Sequence, residues 1–313
     1  MMRFLRVVGL LLGAVIVLPP LWYVVFPADP PPELPPAGKR VDLGNGVAVN
    51  VLEEGTGSAV VLIHGLPGSA YDWRVLMPEL ASRGYRAIAY DRVGYGRSDP
   101  RSDGDFTPEA NAEELLALLE RLELEDATVV GWSYGGVTAM FGAMRDSSRM
   151  ARLVLVGTGG PDSADAQPPE PSAVAAFFYS DPVLRWRVAV PSTGVALMKL
   201  LSGVAFSGGP QPDWWLEGLR ANFARMETLL TYRSEMSGIF DESSEAGSGG
   251  FGADTIALPT LILHGDDDRL APVSIARYLH TQIPNSTLHE VEGGSHMLPV
   301  THAGELAAQI AAF

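Results

Sequence analysis

The chain has 313 residues, 47% of them apolar, so it can form one large α/β domain with an insertion or two smaller domains. Its formal net charge of −15 excludes the clustered basic surface that binding to a nucleic-acid backbone needs. Cysteine is absent from the sequence, which excludes disulfides, thiolate metal sites and a cysteine nucleophile.

The N-terminal segment predicts a membrane anchor. Arg3 and Arg6 precede an apolar stretch without charges, residues 7–25, which would span roughly 28 Å as a helix. We therefore predict a single membrane-spanning helix within residues 1–26 and an extracytoplasmic catalytic domain. The alternative is a cleaved signal peptide and a secreted protein. Residues 27–39 are rich in proline and predict a stiff, extended linker.

From residue 41 onward, strand-like and helix-like segments alternate, which is typical of a mostly parallel sheet with helices on both faces. Residues 41–43 and 47–51 predict an opening hairpin. The other predicted strands are 59–63, 86–90, 127–130, 153–156, 259–263 and 287–291. Helices are predicted at 71–82, from Pro108 onward, after the strand ending at 130, and at 273–283 and 302–313.

Between residues 158 and 257 the alternation stops and the sequence becomes rich in proline, glycine and aromatic residues. A stretch of roughly 100 residues that interrupts a sheet favours an inserted cap over a structureless loop. We therefore predict a core formed by residues 40–157 and 258–313, with a cap at 158–257. Most of the cap aromatics are expected to pack in its interior; they are Phe177, Phe178, Tyr179, Trp186, Trp214 and Trp215.

The pentapeptide Gly131-Trp132-Ser133-Tyr134-Gly135 joins an apolar strand to a run of small residues. A strand that turns sharply into a helix with serine at the turn is the geometry of a nucleophile elbow. The turn strains the serine backbone and leaves no room for a Cβ at either glycine. Ser133 is therefore the predicted nucleophile, and it needs a histidine base that a carboxylate orients.

Two of the downstream histidines follow predicted strands. His296 lies in the loop after the last strand and is the candidate base; the alternative is a surface histidine in a turn. His264 ends an apolar strand and is more typical of a core histidine with a satisfied hydrogen bond.

Three carboxylates follow the strand that ends at Gly265, namely Asp266, Asp267 and Asp268. One of them is the candidate acid and the other two are interpreted as cap or solvated turn residues. Adjacent aspartates also suggest a cation site, but neighbouring side chains of an extended loop diverge. Asp162, after the preceding strand, is the fallback acid.

A tetrahedral intermediate also needs two backbone N–H donors. Tyr134, directly after the nucleophile, is expected to supply one. The segment from His64 to Gly68 follows an early strand, and Leu66 within it is expected to supply the other.

In order along the chain, four motifs resemble those of the α/β-hydrolase superfamily of serine hydrolases with a helical cap: residues 64–69, residues 90–99, the elbow and the His296 loop. The resemblance covers about residues 40–313. It implies an α/β-hydrolase fold with a mostly parallel eight-stranded sheet, helices on both faces and an inserted helical cap. The spacing of Gly265 and Pro272 in relatives selects Asp268 as the acid. Trp132 departs from the commonest pattern, in which histidine is frequent.

The resemblance implies a serine hydrolase that cleaves a carboxylic ester through an acyl-enzyme on Ser133, without cofactor or metal. Relatives that hydrolyse epoxides or haloalkanes carry aspartate at this position. The predicted anchor and the cap aromatics favour a small-molecule ester that is hydrophobic. The alternatives are a lactonase, a C–C hydrolase, an aminopeptidase, a cofactor-free haloperoxidase or a non-catalytic ligand-binding protein of the same fold. The sequence predicts no oligomeric state.

Overall fold

The computed structural model describes residues 33–34, 37–44, 46–101, 104–160, 199, 202–239 and 252–313. In this part of the chain an eight-stranded sheet forms the centre of the fold. Its strands are β1 Lys39–Asp42, β2 Ala48–Glu54, β3 Ser58–Ile63, β4 Tyr85–Tyr90, β5 Ala127–Trp132, β6 Met150–Val156, β7 Thr260–Gly265 and β8 Ser286–Val291.

The strands lie in the order β1-β2-β4-β3-β5-β6-β7-β8. Strand β2 pairs antiparallel with both β1 and β4, and all other neighbours are parallel. The predicted fold class and the opening hairpin are thus confirmed. Because β3 to β8 run in one direction, the loops after these six strands meet at one edge of the sheet.

The helices described are α1 Leu76–Ser82, α2 Pro108–Arg121, α3 Tyr134–Arg145, α4 Asp213–Phe223, α5 Met226–Ile239, α6 Val273–Gln282, α7 Leu298–Thr301 and α8 Ala303–Ala312. Helix α2 begins as predicted: Thr107 caps it by accepting from the N–H of Ala110, at 3.2 Å, and Pro108 takes the first helical position.

Two helices differ from the prediction. The segment expected as one helix over 71–82 is a short 3₁₀ turn, Ala70–Trp73, followed by α1. Pro78 explains the break, since its ring excludes a helical carbonyl four residues earlier, at Arg74. The last helix, expected from His302, is preceded by α7, which is too short for periodicity to reveal.

The core occupies both faces of the sheet. On β3, Val61 and Ile63 belong to one buried apolar cluster, whereas Val60 and Leu62 belong to the other. Burial on both faces is why this strand is continuously apolar in sequence.

Helices α4 and α5 lie between β6 and β7 in the chain, where the cap is predicted. Trp215 is buried there against Phe206, with ring centroids 5.1 Å apart. Trp214 is only half-buried and contacts the ring of Tyr71. The aromatics at 177–179 and 186 lie outside the described residues, as does Asp162, and the domain boundaries stay predictions.

The membrane anchor and the localisation predicted from it, including the secreted alternative, are corrected by the structure. No helix of the described residues is long and apolar enough to cross a membrane. The longest of them have 14 residues. A helix of that length rises about 21 Å, whereas a bilayer core is about 30 Å thick. The predicted span, residues 7–25, lies outside the described residues.

Candidate active site

The predicted site residues meet at the edge of the sheet where the parallel strands end. Leu66 follows β3, Ser133 follows β5, Asp268 follows β7 and His296 follows β8. Tyr134 is the first residue of α3. The topology alone therefore brings together five residues that are spread over 231 positions from Leu66 to His296.

Ser133 lies in the sharp turn that the elbow motif predicts. Its φ of 54° and ψ of −122° are a strained combination for a residue with a side chain. A Cβ on Gly131 would lie 2.3 Å from the carbonyl oxygen of Gly135, and a Cβ on Gly135 would lie 2.2 Å from that of Ile63. Both glycines are therefore required by close backbone approach, as the motif indicates.

The imidazole of His296 binds the carboxylate of Asp268. The distance from His296 Nδ1 to Asp268 Oδ2 is 2.8 Å, and both residues are buried. The other carboxylate oxygen accepts from the N–H groups of Leu270 and Ala271, at 2.9 and 2.8 Å. These bonds fix the carboxylate, and the Asp268 bond leaves Nε2 of the histidine free to face the serine.

The electrostatics favour an ionised Asp268. Burial raises the pKa of its carboxyl, but hydrogen bonds from His264 and His296 outweigh burial and hold that pKa well below the usual range. His264 is fully buried, and its Nε2–H donates to the carbonyl of Ala271, at 2.8 Å. This confirms the predicted core histidine. The same nitrogen lies 3.4 Å from Asp268 Oδ2, so His264 also supports the acid.

Asp266 and Asp267 do not converge with Asp268. Asp266 accepts from the N–H of Gly293, at 2.7 Å, and Asp267 pairs with Arg269, at 3.1 Å. Both aspartates are exposed, whereas Asp268 is buried. The three side chains thus turn to three different partners, which agrees with their interpretation as one acid and two turn residues.

Two contacts link the segments that carry the serine and the histidine. The N–H of Ser133 donates to the carbonyl of Val156, at 2.9 Å, and the next residue, Gly157, packs against His296 and Asp268. A Cβ on Gly157 would lie 3.5 Å from both His296 Nδ1 and Asp268 Oδ2. The second contact comes from the residue before the serine, because the indole N–H of Trp132 donates to the carbonyl of His296, at 2.9 Å.

The expected oxyanion loop lies against the nucleophile. A Cβ on Gly65 would be 2.8 Å from Ser133 Cβ and 3.4 Å from Ser133 Oγ. The peptide that joins Gly65 to Leu66 is therefore a direct neighbour of the serine. Tyr134 lies at the start of α3, where backbone N–H groups have no acceptor within the helix.

Two further residues near the site, Arg92 and Glu235, were not predicted from the sequence. Arg92 follows β4 and is fully buried, and its guanidinium pairs with Glu235 of α5, at 2.5 Å. Glu235 did leave a signal: it shares the buried face of α5 with Thr228 and Tyr232. A carboxylate on the apolar face of a helix indicates a buried cation as partner.

Residues 58–303 match the sequence profile of the family described as alpha/beta hydrolase fold. The chain belongs to the α/β-hydrolase family. It is a mostly parallel, eight-stranded member with helices on both faces.

Named relatives within this α/β-hydrolase family differ in chemistry. A non-heme chloroperoxidase from Streptomyces lividans is 33% identical over 274 residues, which cover 82% of this chain and 91% of that protein. A 2-hydroxy-6-oxononadienedioate/2-hydroxy-6-oxononatrienedioate hydrolase from Paraburkholderia xenovorans (strain LB400) is 28% identical over 287 residues, or 88% of this chain and 93% of the relative. A solved structure, bromoperoxidase from Bacillus anthracis, has a TM-score of 0.65 at 26% identity and covers 88% of this chain and 99% of its own.

Proposed function

We propose that this α/β-hydrolase cleaves a carboxylic ester through an acyl-enzyme on Ser133. The observation that carries the proposal is the buried pair of His296 and Asp268, joined at 2.8 Å, beside a serine held at a positive φ. A strained turn that presents a hydroxyl to an oriented imidazole is an arrangement for activating a nucleophile.

The reaction follows from these contacts. Ser133 Oγ attacks the ester carbonyl, and Nε2 of His296 takes the hydroxyl proton. The ionised Asp268 stabilises the imidazolium that forms. The N–H groups of Leu66 and Tyr134 bind the oxyanion, and its collapse expels the alcohol with the proton from His296. Water then repeats the sequence with His296 as base, which releases the acid and frees Ser133.

An apolar acyl group suits the surroundings of the nucleophile better than a charged one. Trp132 and Met297 are the sequence neighbours of the serine and the histidine. Both belong to a buried apolar cluster that also contains Trp215 and Leu219 of α4. This cluster, rather than a membrane anchor, supports the preference for a hydrophobic ester.

Cleavage of a C–C bond is the second candidate, because a relative at 28% identity is named as a hydrolase of 2-hydroxy-6-oxo dioates. Dicarboxylate substrates call for cationic groups in the site. Arg92 is already bound to Glu235, and the net charge of the chain is −15. Both features favour a neutral ester over a dianion.

The test is covalent labelling followed by substrate comparison. A fluorophosphonate probe is expected to label the wild-type protein and not Ser133→Ala, because the probe reacts with an activated serine. A series of p-nitrophenyl esters of increasing acyl length and a 2-hydroxy-6-oxo dienedioate are then assayed with that variant as the blank. Turnover of the dioate alone would favour C–C cleavage. Failure of the wild type to be labelled or to turn over any substrate would indicate a ligand-binding protein.

A further inference from the structure

Arg92 contacts more of the candidate site than its ion pair with Glu235 requires. Its Nε donates to the carbonyl of His64 and its Nη2 to the carbonyl of Gly65, both at 3.3 Å. Its guanidinium also lies over the ring of Tyr134, 4.9 Å from the centroid. One buried cation therefore touches both segments that carry the expected oxyanion donors.

The carbonyl of Gly65 accepts a second hydrogen bond, from His64. The backbone N–H of Arg92 lies 3.0 Å from His64 Nε2, so that nitrogen is the acceptor and Nδ1 carries the proton. Nδ1–H then donates to the Gly65 carbonyl, at 2.9 Å. Burial, followed by the charge of Arg92, holds the pKa of His64 well below its usual range, which keeps the ring neutral and the tautomer fixed.

The two donors act on a peptide unit whose opposite end faces the reaction. The carbonyl of Gly65 and the N–H of Leu66 belong to one peptide plane, and in a trans peptide they point in opposite directions. Donors on the carbonyl fix this plane. They also draw electron density toward the oxygen, which makes the Leu66 N–H a stronger donor. Since Gly65 lies against Ser133, we expect the Leu66 N–H to face the place where an oxyanion develops.

The far end of the guanidinium is held by the segment between β6 and β7. The carboxylate of Glu235 accepts from Arg92, from Tyr95 Oη at 2.6 Å and from Asn111 Nδ2 at 3.0 Å. Burial opposes the charge of Arg92, but the attraction of Glu235 raises the pKa of the guanidinium above its usual value. The cation is thus permanent and its orientation is set from α5.

We propose that Arg92, seated on Glu235, is a positioning residue that orients and polarises the Gly65–Leu66 peptide, so that docking of α5 assembles the oxyanion hole. This inference rests on the proposed serine-hydrolase function and names how its transition state is stabilised. A buried ion pair alone contributes little to stability, so stability does not explain why Arg92 and Glu235 are buried here. The hydrogen bonds from Arg92 to the carbonyls of His64 and Gly65 are what the site requires of the pair.

The main test removes both charges at once. The double variant Arg92→Met, Glu235→Leu leaves no unpaired buried charge, and such replacements are often neutral for stability. On a p-nitrophenyl ester we expect kcat to fall by roughly 10- to 1000-fold with KM nearly unchanged, because loss of an oxyanion donor acts on the transition state. A carbonyl stretch at higher frequency in the infrared spectrum of the ¹³C-labelled acyl-enzyme would report the weaker polarisation directly.

The matched control is the largely buried ion pair of Arg101 and Glu114, which lies between the loop after β4 and helix α2. Arg101→Met, Glu114→Leu should keep kcat and the carbonyl stretch of the wild type. A folded Arg92 and Glu235 double variant with unchanged kcat and stretch would overturn the proposal. A wild-type protein that forms no acyl-enzyme would overturn the proposed function and this inference together.

A measurement on the wild type covers the case in which the double variant does not fold. Only three Gly–Leu peptides occur in the sequence, at Gly9, Gly65 and Gly218. Labelling with ¹³C-carbonyl glycine and ¹⁵N-leucine therefore selects the carbonyl resonances of these three glycines. The resonance that disappears in Leu66→Met belongs to Gly65. We expect the Gly65 carbonyl downfield of the others, since it accepts from two donors. A Gly65 carbonyl shift like those of the other two would contradict the proposal.

Discussion

At the scale of single residues, Trp132 stands directly before the nucleophile, where histidine is frequent in relatives. Its indole N–H binds the carbonyl of His296, and both residues are buried. The tryptophan therefore ties the end of β5 to the loop after β8. The imidazole can reach the serine hydroxyl only while this loop keeps its place.

Trp132→Phe is expected to lower the rate of fluorophosphonate labelling and kcat by about tenfold, because the buried His296 carbonyl loses its donor and the histidine loop loosens. Trp73→Phe is the matched control. Its indole also packs in the core, 6.3 Å from that of Trp132, but its N–H has no partner among the described residues. Equal losses of activity in the two variants would show that packing, and not the hydrogen bond, is what matters.

Asp72 shows how burial controls a charge near the oxyanion loop. Its carboxylate accepts from the N–H of Ser69, at 2.9 Å. Burial raises the pKa of Asp72 to about 7, the Ser69 N–H opposes the shift and the nearby Asp91 adds to it. The folded protein therefore binds a proton between pH 4 and 7 that the unfolded chain releases.

The proton on Asp72 stabilises the folded protein. This contribution to the free energy of unfolding is fully present below the unfolded pKa of about 3.9 and is lost as pH rises through about 7, whereas most aspartates stabilise the fold in their ionised form. Relative to Asp72→Asn, the free energy of unfolding of the wild type should fall across that window by on the order of 4 kcal/mol. Urea unfolding of both proteins at several pH values measures this difference in free energy. Asp105→Asn should change with the opposite sign, since bonds from Thr107 lower the pKa of Asp105. A difference for Asp72→Asn that does not vary with pH would contradict the assigned burial.

The catalytic candidates were readable from the sequence because each belongs to a short local motif. Ser133 lies between two glycines, and His296 and Asp268 each follow a predicted strand. Arg92 and Glu235 are 143 positions apart, and no motif around either residue indicates that the other is its partner. A carboxylate on the buried face of α5 indicates a cationic partner, but which residue supplies the cation depends on how α5 docks.

At the scale of elements, the contact between α3 and β3 leaves no room for a side chain. The first turn of α3 presses on the end of β3 so closely that a Cβ on Gly135 would lie 2.2 Å from the carbonyl oxygen of Ile63 and 2.7 Å from that of His64. Backbone lies on both sides of this contact, so neither element yields without moving the nucleophile or the oxyanion loop.

Gly135→Ala is therefore expected to destabilise the fold by roughly 2 kcal/mol or more and to abolish fluorophosphonate labelling. The control is Gly159→Ala. Gly159 follows β6 at the same edge of the sheet, and a Cβ there would meet nothing within 4 Å. Thermal unfolding and labelling of the two variants test the contact. Wild-type labelling of Gly135→Ala would show that the two elements separate without cost to the site.

Strands were predicted more accurately than helices, for a physical reason. A strand buried on both faces is a continuous apolar run between turn residues, which gives an unmistakable signal in β3, β5, β6 and β7. The prediction of one helix over 71–82 was wrong because apolar periodicity does not show the clash of Pro78 with the preceding turn. Helix α7 was not predicted because four residues are too few to show a periodicity.

At the scale of the whole molecule, the net charge of −15 acts on every substrate before it reaches the site. In the sequence analysis this charge excluded binding to a nucleic-acid backbone. The same field attracts cationic small molecules and repels anionic ones, and dissolved salt screens it over about 10 Å at 0.1 M. The fold contributes by placing the site in loops at the sheet edge.

Two p-nitrophenyl esters of equal size, one with a trimethylammonium group and one with a tert-butyl group, make this effect measurable. Between 10 mM and 500 mM NaCl we expect kcat/KM to fall several-fold for the cationic ester and to stay nearly constant for the neutral one, since only the former is steered. The change should lie in kcat/KM and not in kcat, because steering acts on encounter and not on chemistry. Parallel salt dependence of the two esters would mean that salt alters the enzyme itself, and a rise for the cationic ester would place the dominant local field at the site with the opposite sign.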